Sequence, residues 1–456
     1  MRRAGLGAAA LVVALTGCAS EPPRPPAPAH YNLVLITLDT VRADHLGCYG
    51  YSKPTSPVLD MLASRSVLFE EASAQSAITP VSHASILTGR DPYHHSLRSM
   101  HGGRDYALPD DEITLAEILR ANGYATGGFV SAFPVTRHYG LHQGFEFWDE
   151  AFEGSGGRGA INERGIVNTG RAQRRGDGTT LRAQAWIRER ADRRFFAWIH
   201  YFDAHDRLVQ PPQAYLARFM ARREPGEDGR ITLYDAEIYF VDEQVGRILR
   251  LLVGLGIREK TIVAVVADHG EGLGDHDWWW HAILYREQLR VPFILSVPGR
   301  GWTGRIPRLV RTIDLVPTLV DVMGLECPRG GCDFDGRSLR PLLDGEDDSP
   351  RLAYSESLND LAAYYRSPWR EDSLYAVNDG RWKLIVRRQG AIEKPPTLFD
   401  LREDPGELVN VARDHPEAAA RLRAYLEGLG AMVEERRTPA LDPETRARLG
   451  SLGYVR

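Results

Sequence analysis

The stretch YNLVLITLD, from Tyr31 to Asp39, decides the fold class. Its apolar residues follow one another almost without interruption, so both faces of an extended chain are hydrophobic. This pattern is typical of a strand at the centre of a parallel sheet, which is buried on both faces. The run ends in a carboxylate, Asp39, and a polar residue at such a strand end is a candidate for function.

More runs of the same kind lie further along the chain, and amphipathic helical patterns separate them. The alternation of strand and helix patterns predicts an α/β fold with a doubly wound, mostly parallel sheet. The strand runs are FFAWIHYF (195–202), KTIVAVVA (260–267) and VPFILSV (291–297), and the helical patterns are TLAEILRANG (114–123), TTLRAQAWIRERA (179–191) and LYDAEIYFVDEQVGRILRLLVGLG (233–256).

Polar side chains collect at the ends of these runs. Asp39 follows the first run, His205 lies just beyond the second, and Asp268 and His269 follow the third. Each of them alone is explained equally well as a turn residue. Because the carboxyl ends of parallel strands meet at one edge, where open α/β sheets build their sites, the four together predict a functional site there.

Length and composition set the outer limits. The chain has 456 residues, of which 43% are hydrophobic, so a large core is expected. A net charge of −5 argues against nucleic acid as the main partner, because nucleic-acid-binding proteins usually carry a basic excess. After about Gly324 the pattern changes to a hairpin, with Asp379-Gly380 at its turn, and an amphipathic helix. We therefore predict a main α/β catalytic domain over 31–324 and an α+β subdomain with a helical tail over 325–456.

The N-terminus has the pattern of an export signal, with a charged start and an apolar run too short to span a bilayer. The run ends in LTGC (Leu15–Cys18), which resembles a bacterial lipobox, whose cysteine becomes lipidated. The alternative is a plain signal peptide with a chance cysteine. Residues 1–18 are thus predicted to be a lipoprotein signal peptide, and the proline-rich residues 19–30 a semi-rigid tether.

This interpretation predicts an exported bacterial lipoprotein attached to a membrane through lipidated Cys18. Ala19 after the cysteine resembles outer-membrane lipoproteins, so we expect the outer membrane, the periplasm or the cell surface. In an oxidising compartment the other cysteines are informative. Cys327 and Cys332 flank PRGG, a turn that could close a disulfide loop, whereas Cys48 is expected to be a buried thiol.

Longer segments surround these residues: NLVLITLDTVRADHLGCYGY (32–51), TPVSHASILTG (79–89), FAWIHYFDAHDRLVQPPQAY (196–215), TIVAVVADHGEGLGDHDWWWHAILYREQLRVPFIL (261–295) and LFDLREDPGELVN (398–410). In order and spacing they resemble the opening metal strand, nucleophile signature, central histidine loop, second metal strand and C-terminal hairpin of the sulfatase family, within the alkaline-phosphatase superfamily. The resemblance implies a metal-dependent hydrolase whose substrate is an anionic sulfate or phosphate ester, linked to a glycan or a lipid.

The resemblance also assigns a metal site. Asp39, Asp268 and His269 stand at positions of metal ligands, Thr40 stands where the family often has a second aspartate, and Thr79 completes the set. This set resembles one site of the phosphodiesterase and phosphoethanolamine-transferase branches. Because it has fewer carboxylates and one imidazole, we expect a divalent zinc or manganese ion, with calcium as the alternative.

Thr79 stands where sulfatases have the cysteine or serine that is converted to formylglycine. Oxidation of threonine at its branched Cβ would give a ketone and not an aldehyde, so formylglycine is not expected. The hydroxyl is instead predicted to attack directly, which suits phosphoryl transfer. The competing interpretation is that Thr79 caps a helix. Val81 and His83 replace the signature proline and arginine, and His83 is a candidate donor to the anion.

More histidines complete the candidate set. His281 stands where the family commonly has a lysine that contacts sulfate, His276 precedes it, and His205 matches the central loop histidine. We predict that His205 and His281 contact ester oxygens or protonate the leaving group. Two alternatives are a second metal site, with Asp203 or His276, and a purely structural role.

Two further features bear on the substrate. The run Trp278–Trp280 between the last two histidines either lines a pocket for sugars or lipids or packs the loop. The segment FVSAFPV (129–135) lacks the lysine-x-histidine pair of many sulfatases, so handling of the leaving group differs.

These observations favour an exported, metal-dependent ester hydrolase with Thr79 as nucleophile, acting on phosphoesters or phosphonates rather than by formylglycine chemistry. One alternative is a transferase that passes a phospho-headgroup to a cell-surface lipid or glycan. Another is a non-catalytic lipoprotein that binds anionic glycans.

Overall fold

The structure is a computed structural model that describes residues 30–100, 107–152, 173–205, 210–347, 349–358, 373–390, 392–432 and 443–451. The predicted signal peptide, Cys18 and nearly all of the predicted tether lie outside the described residues. In the part that is described, no helix combines the length and the apolar character that crossing a membrane requires.

The large sheet has its strands in the order β4-β3-β5-β1-β6-β7-β2-β8. Its strands are β1 (Asn32–Leu38), β2 (Val67–Ser73), β3 (Ala125–Phe129), β4 (Phe147–Asp149), β5 (Phe195–Tyr201), β6 (Thr261–Ala267), β7 (Arg290–Ser296) and β8 (Gly304–Arg311).

The predicted α/β fold class, with a large and mostly parallel sheet, is confirmed. Strand β1 lies at the centre, pairs in parallel with β5 and β6, and has every residue buried. Leu38 lies opposite both Tyr201 and Ala267, so the three strands end at the same level.

The expectation that VPFILSV is a parallel strand was wrong. Strand β7 is antiparallel to both β6 and β2. The chain leaves β6 at its carboxyl end, forms the loop 268–289, and enters β7 at that same edge of the sheet, so β7 must run in the opposite direction. This return keeps the whole loop at the edge where the predicted site lies.

The helices begin and end close to the predicted patterns. Helix α4 starts with a capping box, in which the Thr114 hydroxyl accepts a hydrogen bond from the Glu117 backbone and the Glu117 side chain accepts one from Thr114. The helices are α1 (Pro57–Ala63), α2 (Thr79–Thr88), α3 (Pro92–His95), α4 (Leu115–Ala121), α5 (Gly176–Arg188), α6 (Gln213–Met220), α7 (Gly229–Gly254), α8 (Arg286–Leu289), α9 (Leu315–Met323), α10 (Arg340–Leu343), α11 (Pro416–Gly428) and α12 (Pro443–Ser451).

A second, smaller sheet is antiparallel, in the order β12-β11-β10-β9 with β13 paired to β11. Leu422 and Leu426 of α11 pack against it in a separate hydrophobic cluster. Gly380 adopts φ +91° at the hairpin turn, a conformation that glycine tolerates well. Its strands are β9 (Ala353–Leu358), β10 (Ser373–Asn378), β11 (Trp382–Gln389), β12 (Ile392–Glu393) and β13 (Thr397–Asp400).

The described residues contain the disulfide that the sequence allows and one free cysteine. Cys327 and Cys332 form a disulfide, and Cys48 is a half-buried free thiol.

A buried ion pair connects the small sheet to the loop after β6. Lys383 of β11 donates to the Glu407 carboxylate at 3.1 Å, and both side chains are buried. The same carboxylate accepts a hydrogen bond from the Arg286 backbone at 2.6 Å, while the Glu407 carbonyl lies 3.2 Å from His276 Nε2. Glu407 therefore joins the C-terminal segment to two points of that loop.

Replacing Lys383 with methionine should lower the free energy of unfolding by about 3 kcal/mol, because the buried Glu407 carboxylate loses its cation. Urea unfolding followed by circular dichroism measures the change. Lys260→Met removes an exposed lysine and serves as the control. Equal stability of the two variants would contradict the structural role of the pair.

Candidate active site

Three metal-binding side chains converge at the carboxyl end of the large sheet. Asp39 follows β1 and Asp268 and His269 follow β6, so the parallel pairing of these strands makes them neighbours. One ligand atom from each lies within 4.8 Å of the others, and all three residues are buried. Among the described residues, one group of at least three histidine, cysteine, aspartate or glutamate side chains could hold an ion, and it is this one.

Several oxygens at this point lack the partners that burial demands. Among the residues described, Asp39 Oδ1, Asp268 Oδ2 and Thr40 Oγ1 are buried and have no hydrogen-bond partner. The nearest ring nitrogens to Asp268 Oδ2, from His83 and His269, are 3.4 Å away. Buried oxygens of this kind are costly unless a cation or a donor satisfies them. The donor set therefore fits a divalent metal ion.

The same surroundings disfavour negative charge on the two aspartates. Burial, with the neighbouring carboxylates of Asp268 and Glu271, raises the pKa of Asp39 well above its usual value. Burial also raises the pKa of Asp268 well above its usual value. A bound cation would reverse this preference, because it stabilises the ionised carboxylates.

Thr40 is held in an unusual conformation beside the cluster. Its φ of 54° lies in the left-handed region, which is uncommon for a β-branched residue. Its N–H donates to Asp268 Oδ1 at 3.1 Å, and its carbonyl accepts a hydrogen bond from the Tyr234 hydroxyl at 2.7 Å. Tyr234 in turn accepts from the backbone N–H of Arg42 at 2.9 Å. These contacts fix the backbone that carries two of the predicted ligands.

Thr79 lies at the start of α2 and faces the cluster. Ile78 occupies the capping position and Thr79 is the first helical residue, so the structure does not place Thr79 as the helix cap. Its Oγ1 is 3.2 Å from His269 Nε2, and both residues are fully buried. The N-terminus of α2 directs the partial positive charge of the helix dipole towards this region, which favours an anion.

The protonation state of His269 follows from its contacts. Its Nδ1 lies 2.9 Å from the Gly270 carbonyl, which can only accept, so Nδ1 carries the proton. The Nε2 lone pair is then directed towards Thr79, as a metal ligand requires. Burial lowers the pKa of His269 well below its usual value, which keeps the ring neutral.

Two of the other predicted histidines join the site. The His281 ring lies 4.6 Å from the His269 ring and 5.0 Å from the His205 ring, between centroids. Trp280 stacks on His281 at 4.7 Å, and Glu271 Oε2 lies 3.5 Å from His281 Nδ1. Burial lowers the pKa of His281 to about 3 and that of His205 well below its usual value. The site thus presents neutral imidazoles.

His83 does not occupy the place expected of an anion donor. Its Nδ1 donates to the Thr79 carbonyl at 2.8 Å, and its Nε2 lies 3.1 Å from Thr37 Oγ1. The first contact spans one helical turn, which directs the ring back along α2 towards its own backbone. Because both ring nitrogens have protein partners, His83 anchors the start of α2.

His276 is also directed elsewhere. Its ring stacks on Tyr285 at 3.7 Å, and its nitrogens lie 3.2 Å from Glu287 Oε1 and the Glu407 carbonyl. It therefore contacts the C-terminal segment instead of the cluster. Asp203 accepts a hydrogen bond from Gly176 N at 2.9 Å, at the start of α5. The group of described side chains that could hold an ion does not include these two residues.

The tryptophan run packs the loop after β6. Trp280 covers His281, the Trp278 indole donates to the His281 carbonyl at 3.0 Å, and the Arg230 guanidinium lies over the Trp279 ring. These contacts agree with the packing alternative for Trp278 and Trp280.

The sequence did not identify three side chains at the site: His200, Glu271 and Tyr234. His200 Nε2 lies 3.2 Å from Asp39 Oδ2. The available signal was a single imidazole inside the apolar run FFAWIHYF, because a buried ring nitrogen needs a partner. Glu271 lay within the quoted metal segment, and Tyr234 gave no signal apart from its helix pattern.

Comparisons with known proteins identify a family and a similar fold. A family model described as Sulfatase matches residues 31–325, and one described as N-sulphoglucosamine sulphohydrolase, C-terminal, matches residues 274–430. Arylsulfatase A of Bos taurus is 28% identical over 453 residues, which cover 85% of this chain and 84% of that protein. Delta 4,5-hexuronate-2-O-sulfatase of Bacteroides thetaiotaomicron is 24% identical over 504 residues, covering 97% and 96%. The phosphonate monoester hydrolase of Agrobacterium radiobacter has a similar fold, with a TM-score of 0.67 at 21% identity, covering 88% of this chain and 95% of that one.

Asp268→Asn should abolish the rise in thermal stability that zinc or manganese gives the wild-type chain, because one anionic ligand oxygen is lost. Differential scanning fluorimetry with and without each metal measures this rise. Asp242→Asn, which changes a buried aspartate of α7 outside the cluster, is the control and should keep the metal response. An undiminished response in Asp268→Asn would contradict the assignment.

Proposed function

Because this chain belongs to the sulfatase family of ester-bond hydrolases, we propose that it hydrolyses phosphoesters or phosphonates, with the Thr79 hydroxyl as nucleophile. The observation that carries the proposal is the position of Thr79 Oγ1, at a helix start and 3.2 Å from the Nε2 lone pair of His269. A nucleophile of this family must lie beside the metal ligands, and the contact of Thr79 with His269 supports this role.

The side chain itself decides the type of chemistry. A threonine hydroxyl can attack phosphorus, forming a P–Oγ1 bond while the bond to the leaving oxygen breaks. The proton of the hydroxyl is balanced by the proton that the leaving oxygen takes up. Water then attacks the phosphorus, the P–Oγ1 bond breaks, and the Thr79 hydroxyl is restored. Formylglycine is not required at any step.

The remaining residues have roles that follow from their positions. We assign Asp39, Thr40, Thr79, Asp268 and His269 to the metal. Sulfatase-family enzymes are metal-dependent, and the imidazole in this set favours zinc or manganese over calcium. The bound ion would stabilise the anionic oxygens of the ester and lower the pKa of the threonine hydroxyl. His205 and His281 lie beside the cluster and are assigned to the ester oxygens and the leaving group.

The substrate is proposed to be an ester on a carbohydrate. A curated relative that spans nearly the whole chain is named as a sulfatase of hexuronate sugars. Sugar phosphates and sugar sulfates therefore belong in the same test panel as aryl phosphates, phosphodiesters and phosphonates.

Thr79→Ala should lower kcat/KM for the best ester of this panel by at least ~10³-fold, because the nucleophile is absent. Release of product by metal-loaded protein measures the effect. Thr88→Ala, which removes a buried hydroxyl from the other end of α2, is the matched control and should keep most of the activity. Mass spectrometry after rapid acid quenching should find phosphate on Thr79 and no aldehyde there.

Distinct results would contradict parts of the proposal. Full activity of Thr79→Ala would exclude it as the nucleophile. Transfer of the phosphoryl group to an added glycan or lipid, with none to water, would identify a transferase. Metal binding without turnover on any ester of the panel would favour the anionic-glycan-binding alternative.

We also propose that the chain is an exported lipoprotein anchored through Cys18, on the evidence of the LTGC sequence alone. Expressed in a bacterial host, the wild-type chain should fractionate with membranes and carry lipid at the cysteine. Cys18→Ser should release it from the membrane fraction, and membrane association that survives the substitution would contradict the anchor.

A further inference from the structure

One histidine beside Asp39 has no role in the proposed reaction. His200 is on β5, opposite Thr37 of β1, and is fully buried. Its Nε2 is 3.2 Å from Asp39 Oδ2. The parallel pairing of β5 with β1 places the imidazole beside the end of β1, where Asp39 follows.

The contacts of the ring fix which nitrogen carries the proton. The backbone N–H of Ser131 donates to His200 Nδ1 at 3.3 Å, so Nδ1 is the acceptor in a neutral ring. Nε2 must then carry the hydrogen, and it donates to Asp39 Oδ2. The tautomer is thus set by a backbone group on the neighbouring strand β3 and its following turn.

The two carboxylate oxygens of Asp39 differ in their hydrogen bonding. Oδ2 accepts from His200, whereas Oδ1 is buried and has no partner in the described structure. The two oxygens are chemically equivalent, but turning the plane of the carboxylate away from this orientation would move the accepting oxygen off His200 and leave that donor unsatisfied. The bond therefore selects one orientation and leaves Oδ1 as the oxygen available to a cation.

A directed series of hydrogen bonds ends at the backbone carbonyl of His200. Arg174 Nε donates to the Thr179 hydroxyl at 3.0 Å, Thr179 to the Ser131 hydroxyl at 2.7 Å, and Ser131 to the His200 carbonyl at 2.6 Å. Each hydroxyl has one donor role and one acceptor role, so the series is internally consistent. The series reaches the backbone of His200 and not its ring, so it belongs to the packing around the imidazole and not to the bond with Asp39.

We propose that His200 is a positioning residue that orients the Asp39 carboxylate for metal binding. The proposal rests on the role assigned to Asp39 above, and it concerns metal affinity, which is measured independently of any ester. Outer groups that orient a ligand typically contribute about 10–100-fold to metal affinity.

Two amide substitutions separate orientation from packing. In His200→Gln the side-chain amide reaches the position of Nε2 and can still donate to Asp39. In His200→Asn the shorter amide ends near the position of Nδ1, within reach of Ser131 but not of Asp39. Both variants replace the ring with a polar amide, so loss of ring packing is common to them.

The measurement is the Kd of Zn²⁺ and of Mn²⁺ for the full chain, by competition with a chromophoric chelator, with folding checked by circular dichroism. His200→Asn should weaken affinity about 10–100-fold, and His200→Gln should recover most of it. Ser131→Ala disturbs the same buried region while leaving its backbone N–H in place, and its affinity should stay close to that of wild type.

Equal affinity in the Gln and Asn variants, or an equal loss in Ser131→Ala, would overturn the proposal and leave His200 as a packing residue. If one amide variant does not fold, the decision rests on the variants that do fold, with their metal-free thermal midpoints compared, and on Ser131→Ala. An affinity loss limited to His200 variants supports the orienting role. A loss shared by Ser131→Ala overturns it. The failure of Thr79 as nucleophile would change turnover and not these affinities, so the two proposals can fail separately.

Discussion

The candidate site depends on the parallel pairing of β1 with β5 on one side and β6 on the other. These strands are buried on both faces, so a pattern of apolar and polar faces does not fix their register. Polar contacts inside the sheet do so instead. Thr37 Oγ1 accepts the Trp198 indole N–H at 3.0 Å, and a slip of one residue would leave that buried donor without its partner. The register that this contact favours is also the one that aligns the ends of the three strands and brings Asp39 next to Asp268.

The alignment has an electrostatic cost. It places two carboxylates close together in a region without exposed surface, and burial raises the pKa of both. Replacing these oxygens with apolar groups would stabilise the fold, and their presence identifies a site where stability is given up for binding. A divalent cation resolves the conflict, because it satisfies the oxygens and keeps them ionised. The neutral imidazoles of His205, His269 and His281 lie together at this site and add no positive charge.

The sequence was sufficient for the fold class and for the residues at strand ends, because apolar runs, strand polarity and family motifs are all local signals. Asp39, Asp268 and His269 were reached in this way, and Thr79 through its motif. His200 and Tyr234 were not, since their importance depends on cross-strand register and on the contact that α7 makes with Thr40. His83 and His276 were selected because they stand at positions of the family motifs. The helix geometry of α2 and the contact with Glu407 direct their rings to other partners. The direction of β7 depended on where a long loop returns, which no local pattern encodes.

That loop explains why the small sheet matters to the site. Leu273, His276, Asp277 and Ala282 all have positive φ, which costs each non-glycine residue about 1–2 kcal/mol, so the loop needs restraints from outside. Arg42 supplies one, through hydrogen bonds of 3.2 and 3.3 Å to the carbonyls of Glu271 and Gly272. Glu407 supplies another through His276. The third is the hydrogen bond from Ala282 N to the Ala77 carbonyl, at 3.1 Å, next to His281 and two residues before Thr79. The position of His281 relative to the nucleophile is therefore set jointly by the metal strand, the C-terminal segment and the start of α2, and a change in any of the three would displace the other groups of the site.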